Sequence, residues 1–288
     1  MSVAGEARLT ELDHVLDGLV EKGSVDRNLI QTVVAKVTGA PTEGEVAALS
    51  GDLFAVVDAL DSSIALRRAL TDPATAPASR QQLAHNLLDG KVSKAAVRIV
   101  IEAVEMRWGG GRILTAALER QAIRAQLFIA EQEGQLEEAE DELFRFARLV
   151  ESDAGLRSAL ADRAVSLEGR QQLVDELLSG RSSATTVLLA KRAVGARERT
   201  FAHTIEGFVT LAAAQKNRVV ATVRVAQPLT SDQRDRLRAS LSKQAGREVA
   251  LQEIIDPGVL GGIRVELGDE VVEGTVAGRL QAAQRLFG

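Results

Sequence analysis

The spacing of apolar residues indicates helices over the first three quarters of the chain. Apolar side chains recur three, four or seven positions apart, as at Leu136, Leu143, Phe146 and Val150. This spacing places them on one face of an α-helix. The longest helices predicted in this way are Ile113–Glu133, Leu136–Glu151 and Phe201–Gln215.

The pattern changes near Asn217 to an alternation of period two. Val219, Ala221, Val223 and Val225 alternate with more polar positions, which is typical of a half-buried strand. The segment Thr230-Ser231-Asp232-Gln233 has the form of a capping box and predicts a helix that runs to Ala245. Further strands are predicted at 247–255, 263–267 and 271–272, followed by a last amphipathic helix at Thr275–Leu286. We therefore expect a small α+β domain at 217–288.

The helical part contains an internal duplication with an offset of 90 residues. Between residues 52–107 and 142–197, 21 of 56 aligned pairs are identical, whereas chance gives about one in fifteen. The clearest matches are Leu53-Phe54 with Leu143-Phe144, Arg80-Gln81-Gln82-Leu83 with Arg170-Gln171-Gln172-Leu173, and Leu87-Leu88-Asp89-Gly90 with Leu177-Leu178-Ser179-Gly180.

The duplication predicts two copies of one bundle of five or six helices. The expected fold class is mainly α: two tandem helical bundles followed by a small α+β C-terminal domain. We place the domains at 1–112, 113–216 and 217–288, with Gly109-Gly110-Gly111 as the break between the copies.

Composition excludes several classes of protein. The 288 residues are 45% hydrophobic and 26% charged, as in an ordinary globular protein, and no uncharged apolar run is long enough to cross a bilayer. The chain has no cysteine, which rules out disulfides and thiolate metal sites. The formal net charge of −5 makes general nucleic-acid binding improbable.

No group of residues has the spacing of a reaction centre. The three histidines, His14, His85 and His203, are far apart in sequence, and a helix rather than a strand precedes the three glycines at 109–111. The acidic residues at 137–142 are better explained as a solvated helix face. We predict no catalytic, metal or cofactor site, and expect a binding or scaffolding protein that is not an enzyme.

The C-terminal region resembles a known signature. Ile255–Val265 and Gly268–Leu280 have an Asp-Pro turn, a Gly-Gly pair, a short hairpin and a small-residue helix start, with Thr275 in place of a serine. The residues that carry this signature are Asp256, Pro257, Gly261, Gly262, Gly268, Asp269, Gly274, Gly278, Arg279 and Leu280. This region is similar to the delta subunit of bacterial F-type ATP synthase, the oligomycin-sensitivity-conferring subunit family.

Arg124–Gly134 resembles the first helix of that family's N-terminal bundle, with Ala122 in place of an aromatic residue. The resemblance covers 115–288, and residues 1–114 then form an additional bundle copy. It implies a stator subunit that binds the alpha (and beta) subunits of the catalytic head and the b subunit of the peripheral stalk. The membrane association would come only through the complex, at the cytoplasmic face of the plasma membrane.

The resemblance also implies a groove for the alpha-subunit N-terminal helix, between the first and fifth helices of the bundle. Carried onto Ile123–Ala130 and Thr186–Val194, it nominates Ile123, Leu127, Ala130, Leu188, Leu189 and Arg192. Which copy binds the alpha subunits stays open. The alternatives are an RNA-binding or scaffolding helical repeat, which needs a basic face, and an enzyme, which needs a sheltered carboxylate pair.

Overall fold

The computed structural model of the chain describes residues 3–24, 43–196, 200–216, 219–245, 249–255, 262–267 and 270–273. The chain divides into two compact units, Met1–Lys216 and Asn217–Gly288. This division coincides with the change of hydrophobic period near residue 217. The regular elements described in the larger unit are helices joined by short turns, and the smaller unit contains strands.

The helices of the larger unit repeat at the predicted offset. Those before the glycine-rich segment are α1 (Val3–Ser24), α2 (Glu43–Ser62), α3 (Ile64–Thr71), α4 (Pro77–Leu88) and α5 (Lys94–Glu105). Those after it are α6 (Gly111–Gln132), α7 (Leu136–Ser152), α8 (Ala154–Ala161), α9 (Leu167–Leu178), α10 (Ala184–Val194) and α11 (Phe201–Lys216). The bounds of α8 and α9 are those of α3 and α4 displaced by 90 residues, which confirms the predicted duplication.

Equivalent polar contacts fix equivalent helices in both copies. Ser93 is the N-cap of α5, and Ser183 is the N-cap of α10. Each hydroxyl accepts a hydrogen bond of 3.3 Å from the backbone N–H three residues later. The backbone N–H of each serine is bound in turn by a carboxylate from another helix, at 2.8 Å by Asp52 and at 2.9 Å by Glu142. Each carboxylate therefore positions the start of the fifth helix of its copy.

The repeated Arg-Gln-Gln-Leu segment also has a structural cause. Arg80 is 3% exposed and donates to the backbone carbonyls of Thr75, at 2.7 Å, and Val104, at 2.9 Å. Arg170 occupies the equivalent position and donates to the carbonyl of Val194 at 3.3 Å. In both copies an arginine thus binds the last turn of the fifth helix.

Helix α6 belongs to both copies. It packs against α2, α3 and α5 in the first copy, and against α7, α10 and α11 in the second. In the first copy it occupies the place that α11 occupies in the second. In the second copy it occupies the place that α1 occupies in the first, because α1 packs against α2, α5 and α6. Helices on both sides of residue 112 thus lie in one compact unit, Met1–Lys216, and the boundary between copies at residue 112 stays a prediction.

The middle of α6 is enclosed on every side. Every residue from Gln121 to Leu127 is buried, although Gln121, Arg124 and Gln126 are polar. The Gln126 side chain donates to the Thr185 hydroxyl of α10 at 2.9 Å. The buried polar groups of α6 thus bind the helices that surround it, as burial requires.

Buried ion pairs join α1 to α6. The Arg124 guanidinium is 3.0 Å from the Asp13 carboxylate and 2.9 Å from that of Asp17. Arg120, at 2.6 Å, and Gln121, at 2.7 Å, donate to the same Asp13 carboxylate. We call these five residues the Arg124 cluster.

The smaller unit contains a mixed sheet. Its elements are β1 (Val219–Val225), α12 (Ser231–Ala245), β2 (Val249–Ile255), β3 (Ile263–Leu267) and β4 (Glu270–Glu273). The strand order is β2-β1-β3-β4, with β1 and β2 parallel and the other pairs antiparallel. Apolar side chains of β1, β2 and β3 pack with Leu241 of α12. The predicted strands and this helix are confirmed, and the helix predicted at Thr275–Leu286 lies outside the described residues.

Replacing Arg124 with alanine should destabilise the larger unit by about 3 kcal/mol, because two buried carboxylates lose their main cation. Urea unfolding of the full chain measures this difference. The matched control is Arg145→Ala, since Arg145 pairs with Asp141 on the exposed face of α7, and it should cost less than ~0.5 kcal/mol. Equal losses in the two variants would contradict the assignment.

The Arg124 cluster should also make stability depend on acid pH. Burial raises the pKa of Asp13, but Arg124, Arg120 and Gln121 together outweigh burial and hold that pKa below its usual 3.8. The stabilisation from the Asp13 carboxylate is therefore present above about pH 4 and is lost as the pH falls through the lowered pKa. Thermal unfolding from pH 7 to pH 2.5 should show the gap between the wild type and Asp13→Asn shrinking below about pH 4. A gap that is constant with pH would refute this.

Candidate partner-binding site

Four of the six residues predicted to bind a partner lie inside the protein. Ile123, Leu127 and Ala130 on α6 and Leu189 on α10 are at most 4% exposed and belong to the packed core. Their side chains cannot meet an incoming helix while the bundle is closed. The helix that carries three of them, α6, packs against helices of both copies.

The other two, Leu188 and Arg192, lie on the outer face of α10. They line an open groove with a volume of about 580 Å³. The groove is formed by α10, by Gln171 of α9 and by the turn between the two helices, and its lining is Gln171, Ser179, Gly180, Ser182, Ala184, Val187, Leu188, Lys191 and Arg192. We call it the α9–α10 groove. Binding by Leu188 and Arg192 stays a prediction.

The cations of the α9–α10 groove already have partners. The Lys191 ammonium is 2.9 Å from the Asp175 carboxylate of α9, and the hydrogen bond from Lys191 lowers the pKa of Asp175. The Gln171 amide donates to the backbone carbonyl of Lys191 at 3.1 Å. These contacts link α9 to α10, and the apolar side chains of Val187 and Leu188 belong to the groove lining.

Arg192 connects the two copies. Its guanidinium donates to both carboxylate oxygens of Asp58 on α2, at 2.8 and 2.9 Å. The same group lies over the Phe54 ring, with its carbon 4.3 Å from the ring centroid. Sequence reasoning missed Asp58 and Phe54, which are separated from Arg192 by more than 130 residues. Phe54 and Asp58 are four residues apart and therefore lie on the same edge of α2. This spacing was the one sequence signal of the contact.

The two copies do not present the same groove. The positions of Leu188, Lys191 and Arg192 are taken in the first copy by Arg98, Ile101 and Glu102. The duplication therefore preserved the helices but not the chemistry of this surface. At this position the second copy has the apolar Leu188, and the first copy has the charged Arg98.

The signature of the C-terminal unit is mostly outside the described residues. Gly262 is described and has φ of +91°, a left-handed conformation that favours glycine, directly before β3. The signature residues outside the described part are Asp256, Pro257, Gly261, Gly268, Asp269, Gly274, Gly278, Arg279 and Leu280.

The described residues contain no group of three or more histidine, cysteine, aspartate or glutamate side chains that could hold a metal ion. His85 lies 3.3 Å from Asp89, and His203 lies 3.3 Å from Glu206, each on an exposed helix surface. Among the described helices, none is long and apolar enough to cross a membrane.

A family model and individual related proteins all match this chain to the same protein family. A sequence model of the family described as "ATP synthase delta (OSCP) subunit" matches residues 124–287, more than half of the chain. The chain is 44% identical over 264 residues to ATP synthase subunit delta of Parafrankia sp. (strain EAN1pec), which covers 90% of this chain and 94% of that protein. It is 43% identical over 245 residues to the subunit of the same name from Kineococcus radiotolerans, covering 84% of this chain and 89% of that protein.

The similarity extends into the additional copy. The protein of the same name from Thermobifida fusca is 38% identical over 262 residues, which cover 91% of this chain and 97% of that protein. An alignment of this length extends far beyond residues 124–287 and includes most of the first copy. This relative therefore also has a segment that corresponds to most of the first copy.

The contact of Arg192 with Asp58 should stabilise the larger unit by about 1 kcal/mol, since it is bidentate and the Arg192 side chain is only 19% exposed, although that of Asp58 is 61% exposed. A double-mutant cycle with Arg192→Ala and Asp58→Ala, followed by urea unfolding, measures the coupling. The control cycle uses Arg148 and Glu151, an exposed pair within α7 at 3.1 Å, and its coupling should be no more than ~0.5 kcal/mol. No coupling between Arg192 and Asp58 would disprove the connection.

Proposed function

The chain belongs to the ATP synthase delta (OSCP) subunit family, and from this premise we propose that it is a non-catalytic stator subunit that links the catalytic head of the F-type enzyme to its peripheral stalk. The observation that carries the proposal is the division into two compact units. The helical unit has an open groove that includes the apolar side chains of Val187 and Leu188. A linking subunit needs two separate binding units, and the division of this chain into two compact units supports such a role.

The helical unit is proposed to bind the N-terminal helices of the alpha subunits in the α9–α10 groove. An amphipathic helix binds through apolar anchors spaced by three, four and seven residues. The apolar side chains of Val187 and Leu188 suit such anchors. The Lys191–Asp175 pair links α9 to α10 beside the groove, which reduces the ordering of the groove itself on binding.

The groove chemistry supports the second copy as the one that binds. The equivalent of Leu188 in the first copy is Arg98, which is exposed and charged. An apolar anchor would lose its contact there and would desolvate a cation instead. The first copy is proposed to serve as a support, joined to the second through α6 and Arg192.

The C-terminal unit is proposed to bind the b subunit of the peripheral stalk. Two linked sites keep a subunit in place by effective concentration, even where each contact alone is moderate. The task is mechanical, since the head can make ATP only if it stays still while the central shaft turns. A subunit of this kind reaches the membrane, at its cytoplasmic face, through the complex.

The RNA-binding alternative is disfavoured by charge. Residues 217–288 carry ten basic and nine acidic side chains, so the total of −5 leaves −6 for residues 1–216. A helical unit with this balance repels a phosphate backbone.

Changing Leu188 to aspartate should weaken binding of a synthetic alpha-subunit N-terminal peptide to the full chain by about tenfold or more, because a buried charge replaces an apolar anchor. Isothermal titration measures the dissociation constant. Two matched controls, Leu149→Asp on the exposed face of α7 and Arg98→Asp at the equivalent position of the first copy, should leave it unchanged.

The affinities of the three variants show which copy, if either, binds the peptide through this face. Loss with Arg98→Asp instead of Leu188→Asp would move the site to the first copy and contradict the proposal. An equal affinity in all three variants would show that this face does not bind the head. Thermal unfolding of each variant excludes misfolding as the cause of a loss.

A further inference from the structure

Both cations of the α9–α10 groove are paired with carboxylates that lie outside its lining. The Lys191 ammonium is 2.9 Å from the Asp175 carboxylate of α9. Two guanidinium nitrogens of Arg192 bind Asp58 of the first copy, at 2.8 and 2.9 Å. Asp175 and Asp58 are not among the residues that line the groove. Each positive charge of the lining is therefore already engaged in an ion pair.

Arg192 is held more closely than Lys191. Its side chain is 19% exposed, whereas that of Lys191 is 37% exposed. Its guanidinium also lies over the Phe54 ring, 4.3 Å from the ring centroid. A bidentate ion pair and a ring contact together engage the whole planar group. The part of Arg192 that is left for a ligand in the groove is its apolar stem.

This arrangement determines which side chains the groove can accept. A free guanidinium beside Leu188 would attract a carboxylate on an incoming helix. Because Asp58 already neutralises Arg192, a carboxylate that enters the groove loses its water and finds no free cation. Apolar side chains incur no such cost and can contact Val187 and Leu188. The groove is thus selective for apolar anchors and against acidic ones.

The duplication does not explain the ion pair between the copies. At the positions equivalent to Asp58 and Arg192, the chain has Arg148 and Glu102, which carry the opposite charges. The Asp58 side chain is also 61% exposed, so the packing of the core does not require a carboxylate there. Both observations connect Asp58 with the groove of the second copy and not with the shared fold.

We propose that Asp58 is a specificity-determining residue of the α9–α10 groove, which makes the groove reject acidic side chains of a bound helix by holding the Arg192 guanidinium. This rests on the proposed function, in which the ligand of the groove is an alpha-subunit helix. Asp58 acts through Arg192 and does not itself touch the ligand. The first copy thereby takes part in the choice of partner, besides serving as a support.

Peptide titration of the full chain tests the proposal. The ligands are the synthetic alpha-subunit N-terminal peptide and copies of it in which each apolar anchor in turn is replaced by glutamate. The ratio of the two dissociation constants is the glutamate loss factor. In the wild type we expect a factor of about ten or more at every anchor. In Asp58→Asn the released guanidinium can bind the new carboxylate at the nearest anchor, and the factor there should fall to about three or less.

Two variants serve as controls. Asp89→Asn removes the same charge from an equally exposed carboxylate of the first copy, whose side chain is 62% exposed and lies 3.3 Å from His85. It should leave every glutamate loss factor unchanged. Asp58→Asn combined with Arg192→Gln removes the released guanidinium and should restore the factor to about ten or more. Thermal unfolding verifies that each variant is folded at the temperature of the titration.

A merely structural role of Asp58 gives a different result. Loosening of the groove would weaken binding of the peptide and of its glutamate copies alike, so an unchanged loss factor in Asp58→Asn would overturn the proposal. An equal fall with Asp89→Asn, or a factor that stays low in the double variant, would also overturn it. Failure of the proposed function is seen separately, because the wild type would then not bind the unmodified peptide or would bind it equally well after Leu188→Asp. The role of Asp58 would fall with it.

Discussion

The arrangement of the helical unit depends on one helix that has no exposed side along its middle. Between Gln121 and Leu127 every side chain of α6 is buried, so each polar group there needs a partner inside the protein. Arg124 binds α1 through two carboxylates, and Gln126 binds α10 through a hydroxyl. The partners come from both copies. They determine which helices lie beside α6 and where those helices are held.

A shared helix joins the copies differently from a flexible linker. Two bundles on a linker would sample many angles, because each linker residue has free dihedrals. Here the 22 residues of α6 run as one helix through both bundles, so bending one copy against the other requires bending that helix. The Arg192 contact with Asp58 adds a second point of attachment away from α6. Two separated points also resist rotation about the helix axis.

The repeat in the sequence predicted much of this fold, because identical turn and cap residues impose identical helix ends. Ser93 and Ser183, and the left-handed Gly90 and Gly180, end or begin helices at positions 90 residues apart. Periodicity could not predict the double role of α6, since an apolar stripe shows that a helix face is buried but not which partner buries it. For the same reason Ile123 and Leu127 resembled groove residues and belong to the core.

The contact between copies could not be predicted from the sequence because it is not duplicated. Arg192 has Glu102 as its counterpart, and Asp58 has Arg148, so both members of the ion pair change sign between the copies. A comparison of the two copies by residue identity does not reveal such positions. Yet these are the positions at which two copies of one bundle must differ, because one edge faces a neighbour within the chain and the other does not. The duplicated core therefore determines the fold, and the positions that diverged distinguish the edge that joins the copies from the equivalent edge that remains exposed.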